Sequence, residues 1–282
     1  MKLPENIRIN ALHLLIQNLE RSITFYTDVI GLQLFSRENS SAALGVGETL
    51  LLVLHENPAA HQVRGTSGLY HFAILVPERE SLAHALHRIA ETQTSVQGFA
   101  DHGVSEAIYL VDPDGNGIEI YRDLPRDIWP RAPSGELQMK TDPLDVNGLL
   151  AVVDTSAPAN GMLPPATTIG HMHLHVRNVE EAVTFYRDAL GFNLIQRYGP
   201  SAAFLAAGDY HHHIGINTWA GIGAPPKPDD AVGLQEFTIN LPAGSELGSL
   251  TENLQNLDIP FVEEASTIVV TDPSGNTLRF TN

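Results

Sequence analysis

Three consecutive histidines stand out in the stretch from Tyr210 to Trp219, which reads YHHHIGINTW. The small and apolar residues that alternate after them predict a β-strand, in which successive side chains point to opposite faces. His211 and His213 would then share a face with Asn217, and His212 would point the other way. Because imidazole titrates near neutral pH and binds metals, the stretch is a candidate for catalysis. The alternative is an adventitious surface cluster.

The composition limits how the protein could hold a metal. None of the 282 residues is a cysteine, so disulfides and thiolate sites are excluded, and His, Asp and Glu remain as ligands. The formal net charge of -17 argues against nucleic acid and anionic membranes as partners. The sequence has no apolar run of about 18 residues and no signal pattern, which together predict a cytoplasmic protein.

An internal repeat organises the chain. Segments 9–31 and 169–191 align without gaps at an offset of 160 residues. Each contains a predicted strand, an asparagine N-cap, a helix that carries a Phe-Tyr pair, and a glycine that ends the helix. Segments 111–121 (VDPDGNGIEIY) and 271–281 (TDPSGNTLRFT) repeat at the same offset. The chain is therefore predicted to be an internal duplication.

Each half divides again into two units of the order strand, helix, strand, strand, strand. The four predicted βαβββ units are about residues 8–56, 67–122, 168–219 and 232–282. Because one unit cannot close its own sheet, two units should pack side by side around a cupped cleft. The sequence thus predicts an α+β fold with cupped mixed sheets. Its two domains would be residues 1–125 and 167–282, with a linker of residues 126–166.

The order of elements, the helix end F-Y-x-D-x-x-G and the turn DPDGNGIE resemble those of the vicinal oxygen chelate superfamily. That superfamily includes glyoxalase I, proteins of fosfomycin and bleomycin resistance, and extradiol ring-cleaving dioxygenases. The resemblance covers nearly the whole chain outside the linker. Because this fold supports several chemistries, the function has to be inferred from the site.

The resemblance also implies where a metal would be held. In this superfamily the ligands come from the first strand of each paired unit and from the last strand of at least one. The corresponding residues are Ala11, His71, His171 and Glu236 on the first strands, and Glu119 and Arg279 on the last strands. The implied ligand set is His71, Glu119 and His171. Two imidazoles and one carboxylate suit Fe(II), with Mn(II) as a substitute, and leave positions open for substrate and oxygen.

This ligand set requires the second unit to pair with the third, across the two halves of the chain. Fused relatives are known to pair their units in this crossed way. The alternative is sequential pairing, in which His13 would fill in for Ala11, because both side chains lie on the same strand face. A second, degenerate site around Glu236 stays open at this stage.

Three further residues are implied to surround the metal. At the position of His213, extradiol dioxygenases have a histidine that acts on the substrate, whereas glyoxalase I has a glutamate. They also carry a histidine and a tyrosine before the carboxylate ligand, and here His102 and Tyr109 precede Glu119 by 17 and ten residues. His213 would transfer protons, and His102 and Tyr109 would donate hydrogen bonds to the substrate oxygens.

The function implied by the resemblance is that of an Fe(II)-dependent extradiol dioxygenase, with a catechol or substituted catechol and O2 as its partners. One alternative is a glyoxalase I-like isomerase, in which His213 would be a fourth ligand to zinc or nickel. The other is a metal-free protein that binds an aromatic or drug-like ligand, against which the intact set of His71, Glu119 and His171 argues. The oligomeric state stays open, and a homo-oligomer is one option.

Overall fold

Four βαβββ units contain all the strands of the part of the chain that the structure describes. The structure is a computed structural model and describes residues 1–156, 161–242 and 245–282. Residues 157–160 of the predicted linker lie outside the described residues. Within the described residues, no helix is both long enough and apolar enough to cross a membrane.

Units one and two lie in the first half of the chain. Unit one consists of strand β1 (Arg8–Ile16), helix α1 (Leu19–Thr24) and strands β2 (Gln33–Glu38), β3 (Ser41–Val46) and β4 (Thr49–Glu56). Unit two consists of β5 (Gly68–Leu75), α2 (Arg79–Glu91), β6 (Val96–Asp101), β7 (Ser105–Val111) and β8 (Gly117–Asp123). A 3-10 turn (Arg126–Ile128) and helix α3 (Val146–Leu150) follow in the connection to the second half.

Units three and four repeat this order in the second half. Unit three consists of β9 (Thr168–His175), α4 (Val179–Thr184), β10 (Asn193–Tyr198), β11 (Ala202–Ala206) and β12 (Ile214–Asn217). Unit four consists of β13 (Gly233–Asn240), α5 (Ser245–Asn256), β14 (Phe261–Glu264), β15 (Thr267–Thr271) and β16 (Thr277–Thr281). The predicted α+β fold of four βαβββ units is confirmed.

The two repeated motifs contact each other within each half. The Phe-Tyr pair begins a π-helical turn that continues α1 and α4. The hydroxyl group of Tyr26 donates to Asp112 Oδ2 at 2.8 Å, and that of Tyr186 donates to Asp272 Oδ2 at 3.1 Å. Since both aspartates lie in the DPxGN turn before the last strand, these buried bonds attach the helix of one unit to the next unit along the chain.

Strand pairing, in contrast, crosses between the halves. Strand β5 of unit two lies antiparallel to β9 of unit three, and β1 of unit one lies antiparallel to β13 of unit four. Strands β1 and β9 meet at Ile9 and Ile169, which joins two cups into one sheet. The crossed arrangement is therefore the one observed. The division into domains 1–125 and 167–282 stays a prediction, because each half supplies one unit to each cup.

The sheet face opposite the apolar core carries polar side chains in each cup, and these two places are named cleft A and cleft B. Cleft A, between units two and three, contains His71, Glu119 and His171. Cleft B, between units one and four, contains His13, Glu236 and Arg279. The helices cover the opposite face of the sheet, where the main cluster of buried apolar side chains lies.

Candidate metal centre

Side-chain alternation places the three predicted ligands in cleft A. Phe72 on β5 and Met172 on β9 belong to the buried apolar core. The neighbouring residues His71 and His171 must therefore face the other side of the sheet. On β8, Glu119 lies between two core isoleucines and faces the same side for the same reason.

The donor atoms of these three residues converge. Oε2 of Glu119 lies 3.0 Å from Nε2 of His71 and 3.1 Å from Nε2 of His171. One potential ligand atom from each residue lies within 4.8 Å of the other two. The exposed fractions are 6% for His71, 2% for Glu119 and 1% for His171. The predicted set, drawn from units two and three, thus forms one buried cluster.

Two features of the cluster fit a metal ion. Nε2 of His71 and Nε2 of His171 both point at the same carboxylate oxygen of Glu119, so the three donor atoms face one another as the ligands of one ion would. Adjacent octahedral ligands at about 2.1 Å from a metal are about 3.0 Å apart, and tetrahedral ligands about 3.4 Å. The observed spacings of 3.0 and 3.1 Å are close to these values. Two imidazoles and one carboxylate are also the donor set of non-haem Fe(II) sites.

The electrostatics favour the protonation states that ligands need. Burial lowers the pKa of His171 to about 4, although Glu119 opposes this shift. Burial alone would raise the pKa of Glu119, but its contacts with His171 and His71 outweigh that effect and hold its pKa well below the usual value. Near neutral pH the cluster is therefore a carboxylate with an unprotonated His171, and both forms can bind a cation.

A cavity of about 410 Å³ opens in front of the cluster. This volume is in the usual range for small-molecule sites, roughly 300–1,000 Å³. Its walls come from units two and three and from Met139, Lys140 and Thr141 of the predicted linker. Gln196 on β10 holds this linker segment, because its side-chain amide accepts from Met139 N at 2.7 Å and donates to Met139 O at 3.2 Å. The connection between the halves is thus part of the site.

His102 and Tyr109 both line this cavity, as predicted, and contact each other. Nδ1 of His102 lies 2.7 Å from the carbonyl oxygen of Lys140, which can only accept, so Nδ1 carries the proton. With Nδ1 as the donor, Nε2 of His102 can accept from the Tyr109 hydroxyl group at 2.7 Å. Burial, followed by the charge of Glu119, raises the pKa of Tyr109 well above its usual value. Tyr109 is therefore a neutral donor.

The three histidines are oriented differently from the prediction. They lie in a bend before β12, so strand alternation does not apply to them. His212 lines the cavity, and its ring centre is 4.1 Å from that of His171. His213 lies outside this lining, because its Nδ1 accepts the backbone N–H of Ala207 at 3.1 Å. His211 contacts Asp123 at 2.9 Å.

The predicted orientations of His212 and His213 were therefore reversed. The strand was expected to begin at the histidines, and a turn delays it. Gly208 adopts a φ of +62° in the sequence AAGDY just before them. A Gly-Asp pair is a turn signal and could have indicated the later start of the strand. A second residue that the sequence reasoning passed over is His173, which lines the cavity two positions after His171.

Cleft B has different groups at the equivalent positions. Arg279 takes the place of Glu119 and forms hydrogen-bonded ion pairs with Glu236 at 2.9 and 3.1 Å and with Glu264 at 2.9 Å. His13 contacts His55 at 3.0 Å and lies in this cleft, away from His71. The sequential alternative, with His13 as a ligand beside His71, is therefore wrong. Among the described residues, the cluster in cleft A is the one group of three or more potential ligands that converges.

Comparison with known proteins agrees with this architecture. The sequence profile of the Glyoxalase/Bleomycin resistance protein/Dioxygenase superfamily matches residues 8–120 and 168–280. The chain belongs to this superfamily. A member from Bacillus subtilis (strain 168), a catechol-2,3-dioxygenase, is 44% identical over 281 residues, which cover 98% of each protein.

Two further comparisons are more distant. A manganese-dependent 2,3-dihydroxybiphenyl 1,2-dioxygenase of Geobacillus genomosp. 3 is 25% identical over 211 residues, which are 72% of this chain and 59% of that protein. The crystal structure of glyoxalase I from Zea mays is 15% identical and has a TM-score of 0.60 over 98% of this chain and 92% of that one. This last likeness shows the superfamily fold alone.

Proposed function

We propose that the protein is an extradiol dioxygenase that opens the ring of a catechol or substituted catechol with O2. The observation that carries this proposal is the convergence of His71, Glu119 and His171 in front of an open cavity. The identity of 44% with a catechol-2,3-dioxygenase over nearly the full length supports it. The proposed metal is Fe(II), and Mn(II) is the alternative, because a manganese-dependent relative exists and the donor set suits both ions.

The metal and the protein would have separate tasks. When bound by His71, Glu119 and His171, the metal would act as a Lewis acid toward the diol and bring it together with O2. The remaining groups of the cavity would bind the diol, orient it and move its protons. We therefore expect His212, His102 and Tyr109 to perform most of this binding, orientation and proton transfer.

His212 takes the role that the sequence suggested for His213. It faces the cavity, and burial, followed by neighbouring histidines, lowers its pKa well below the usual value. An imidazole that is neutral at pH 7 can accept a proton from a diol hydroxyl group and return it later. Tyr109 can turn its hydroxyl group from His102 to a substrate oxygen, because the Lys140 carbonyl keeps His102 in place.

Two structural observations argue against the other functions considered. A glyoxalase-type site would need a fourth ligand from the stretch His211 to His213, but among the described residues only His71, Glu119 and His171 converge as potential ligands. A metal-free binding protein would have no use for two imidazoles and a carboxylate that converge in a buried cluster in front of the cavity. Ring cleavage at a three-ligand site fits both observations.

The test is anaerobic purification followed by loading with Fe(II), Mn(II) or Zn(II) and measurement of catechol-dependent oxygen uptake. We expect uptake with Fe(II) or Mn(II) and a ring-opened product. His171→Ala should lose both bound metal and oxygen uptake. His13→Ala, which removes a histidine of cleft B, should keep both. Absence of uptake with every catechol and metal, or full activity of His171→Ala, would contradict the proposal.

A further inference from the structure

Aromatic side chains form a continuous wall from the metal cluster to solvent. The ring centre of His173 lies 4.9 Å from that of His71 and 5.5 Å from that of Trp219. Tyr70 lies 5.1 Å from His173 and 5.2 Å from Trp219. All four line the cavity. Tyr70 is 40% and Trp219 49% exposed, so the wall ends at the mouth.

His173 provides a hydrogen-bonding atom within this wall. Its side chain is buried, with 4% of the residue exposed, and its Nε2 has no hydrogen-bond partner among the described residues. It is also outside the converging group of His71, Glu119 and His171. Gly215 makes room for the ring, since a Cβ at that position would lie 2.9 Å from it. A buried polar atom without a partner is expected to be satisfied by a ligand, so Nε2 of His173 is available to a hydroxyl group of the diol while its ring forms part of the wall.

The charges around the cavity disfavour an anionic substituent. Among the described residues that line it, Lys140 is the one lysine or arginine, and its Nζ is already paired with Asp142 Oδ2 at 2.5 Å. A carboxylate on the substrate ring would therefore be removed from water without a free cation to meet it, which is costly. An uncharged alkyl or aryl group would instead pack on the aromatic wall.

We infer that Tyr70, His173 and Trp219 form a subsite for an uncharged substituent on the substrate ring. This subsite makes the protein select alkyl- or aryl-substituted catechols over catechols that carry a carboxylate. The inference rests on the proposed function, because the substituent is placed relative to a diol at the metal cluster.

The kinetic test compares substituents of similar size and different charge. The pairs are 3-ethylcatechol with 2,3-dihydroxybenzoate, and 4-ethylcatechol with 3,4-dihydroxybenzoate. In the wild-type protein we expect kcat/KM for the better ethylcatechol to exceed that for its carboxylated partner by about 100-fold. Trp219→Ala should lower the ratio of kcat/KM for ethylcatechol to that for catechol by about tenfold, mainly through KM. Trp219→Phe should restore most of the ratio.

The matched control is Ile222→Ala, because Ile222 is 88% exposed, follows Trp219 closely and lies outside the cavity lining. This variant should leave the ratio unchanged. An equal or higher kcat/KM for the carboxylated catechol, or an unchanged ratio in Trp219→Ala, would overturn the inference while the oxygen uptake with catechol still stands.

A binding measurement does not depend on turnover. The protein has two tryptophans, and Trp129 is 5% exposed whereas Trp219 lies at the mouth. In Trp129→Phe, Trp219 remains as the fluorescent reporter. Under anaerobic conditions, ethylcatechol should quench this fluorescence at a lower concentration than dihydroxybenzoate. Tighter binding of dihydroxybenzoate, or no quenching by either, would overturn the subsite even if oxygen uptake never occurred and the proposed function had failed.

Discussion

Clefts A and B have the same framework of strands but carry different side chains at equivalent positions. The strand pairing is equivalent in both, since His71 lies opposite Gly117 in one cup and Glu236 lies opposite Thr277 in the other. Three positions decide the difference: His71 corresponds to Glu236, Glu119 to Arg279 and His171 to Ala11. The same framework thus carries two different sets of side chains, and the predicted ligands converge in cleft A.

Hydrogen-bonding capacity is distributed differently between the two clefts. In cleft B, Arg279 is paired with Glu236 and Glu264, so the charges there neutralise each other. In cleft A, buried nitrogens of His171 and His173 have no partner among the described residues, and Nε2 of His71 faces the Glu119 carboxylate at 3.0 Å. Buried polar atoms are normally satisfied, so the nitrogen of His173 in the cavity lining is available to a ligand. The charges of cleft B are thus paired within the protein, whereas cleft A keeps donor atoms for a bound ligand.

The largest expected effect comes from removing the carboxylate of cleft A. Glu119→Ala should abolish metal binding and lower oxygen uptake by at least about 1,000-fold, because the remaining imidazoles lose the negative ligand. Arg279→Ala changes the corresponding position in cleft B and should alter activity by no more than about twofold. Metal content and oxygen consumption measure both. Equal losses in the two variants would show that the clefts are not functionally distinct.

A second comparison tests which of the two neighbouring histidines, His212 or His213, transfers protons. His212→Asn should lower kcat by about 100- to 10,000-fold, the usual range for loss of an acid–base group, with metal content unchanged. His213→Asn should leave kcat within a few-fold, because His213 contacts the backbone of Ala207 and not the cavity. If His213→Asn lost kcat and His212→Asn did not, the assignment of His212 would be wrong.

The pH dependence of stability tests the burial of His213 in the metal-free protein. Burial lowers its pKa to about 3, so the unfolded chain binds more protons than the folded chain below pH 6.5. Its contribution to stability is complete above pH 6.5 and is lost as the pH falls toward 3. Between pH 7 and pH 5 the loss from this group should be about 2 kcal/mol.

Urea unfolding at several pH values measures this effect. In His213→Asn the dependence on pH should be weaker by about 2 kcal/mol between pH 7 and pH 5. His61 is exposed, and His61→Asn is the matched control that should retain the wild-type dependence. An unchanged slope in His213→Asn would mean that His213 is accessible to protons in the folded state.

The smallest expected effects are on stability and come from the tyrosine–aspartate hydrogen bond that both halves contain. Tyr26→Phe and Tyr186→Phe each remove one buried hydrogen bond to an aspartate, which should lower the free energy of unfolding by about 1 kcal/mol. Because the two contacts are equivalent and lie in different halves, the double variant should lose about 2 kcal/mol. A large difference between the single variants would show that the two halves are not equally stabilised by the repeated motif.

The sequence contained enough information to place the ligands but not all their neighbours. His71, Glu119 and His171 could be predicted as ligands because the resemblance to the vicinal oxygen chelate superfamily implies which strands carry ligands, and the repeat locates those strands in this chain. The choice between His212 and His213 depended on the residue at which β12 begins, and a shift of one residue reverses the faces. The tautomer of His102 depends on the backbone of Lys140 in the linker, which no pattern in the sequence indicates.

The linker makes the two clefts of the duplicated chain unequal. A symmetric dimer of two-unit chains would have two identical clefts. A covalent connection between the two chains breaks that symmetry, because the connecting segment has to pass over one of the two clefts. Here it passes over cleft A, where Met139, Lys140 and Thr141 line the cavity. The segment that connects the halves thus lines the same cleft in which His71, Glu119 and His171 converge.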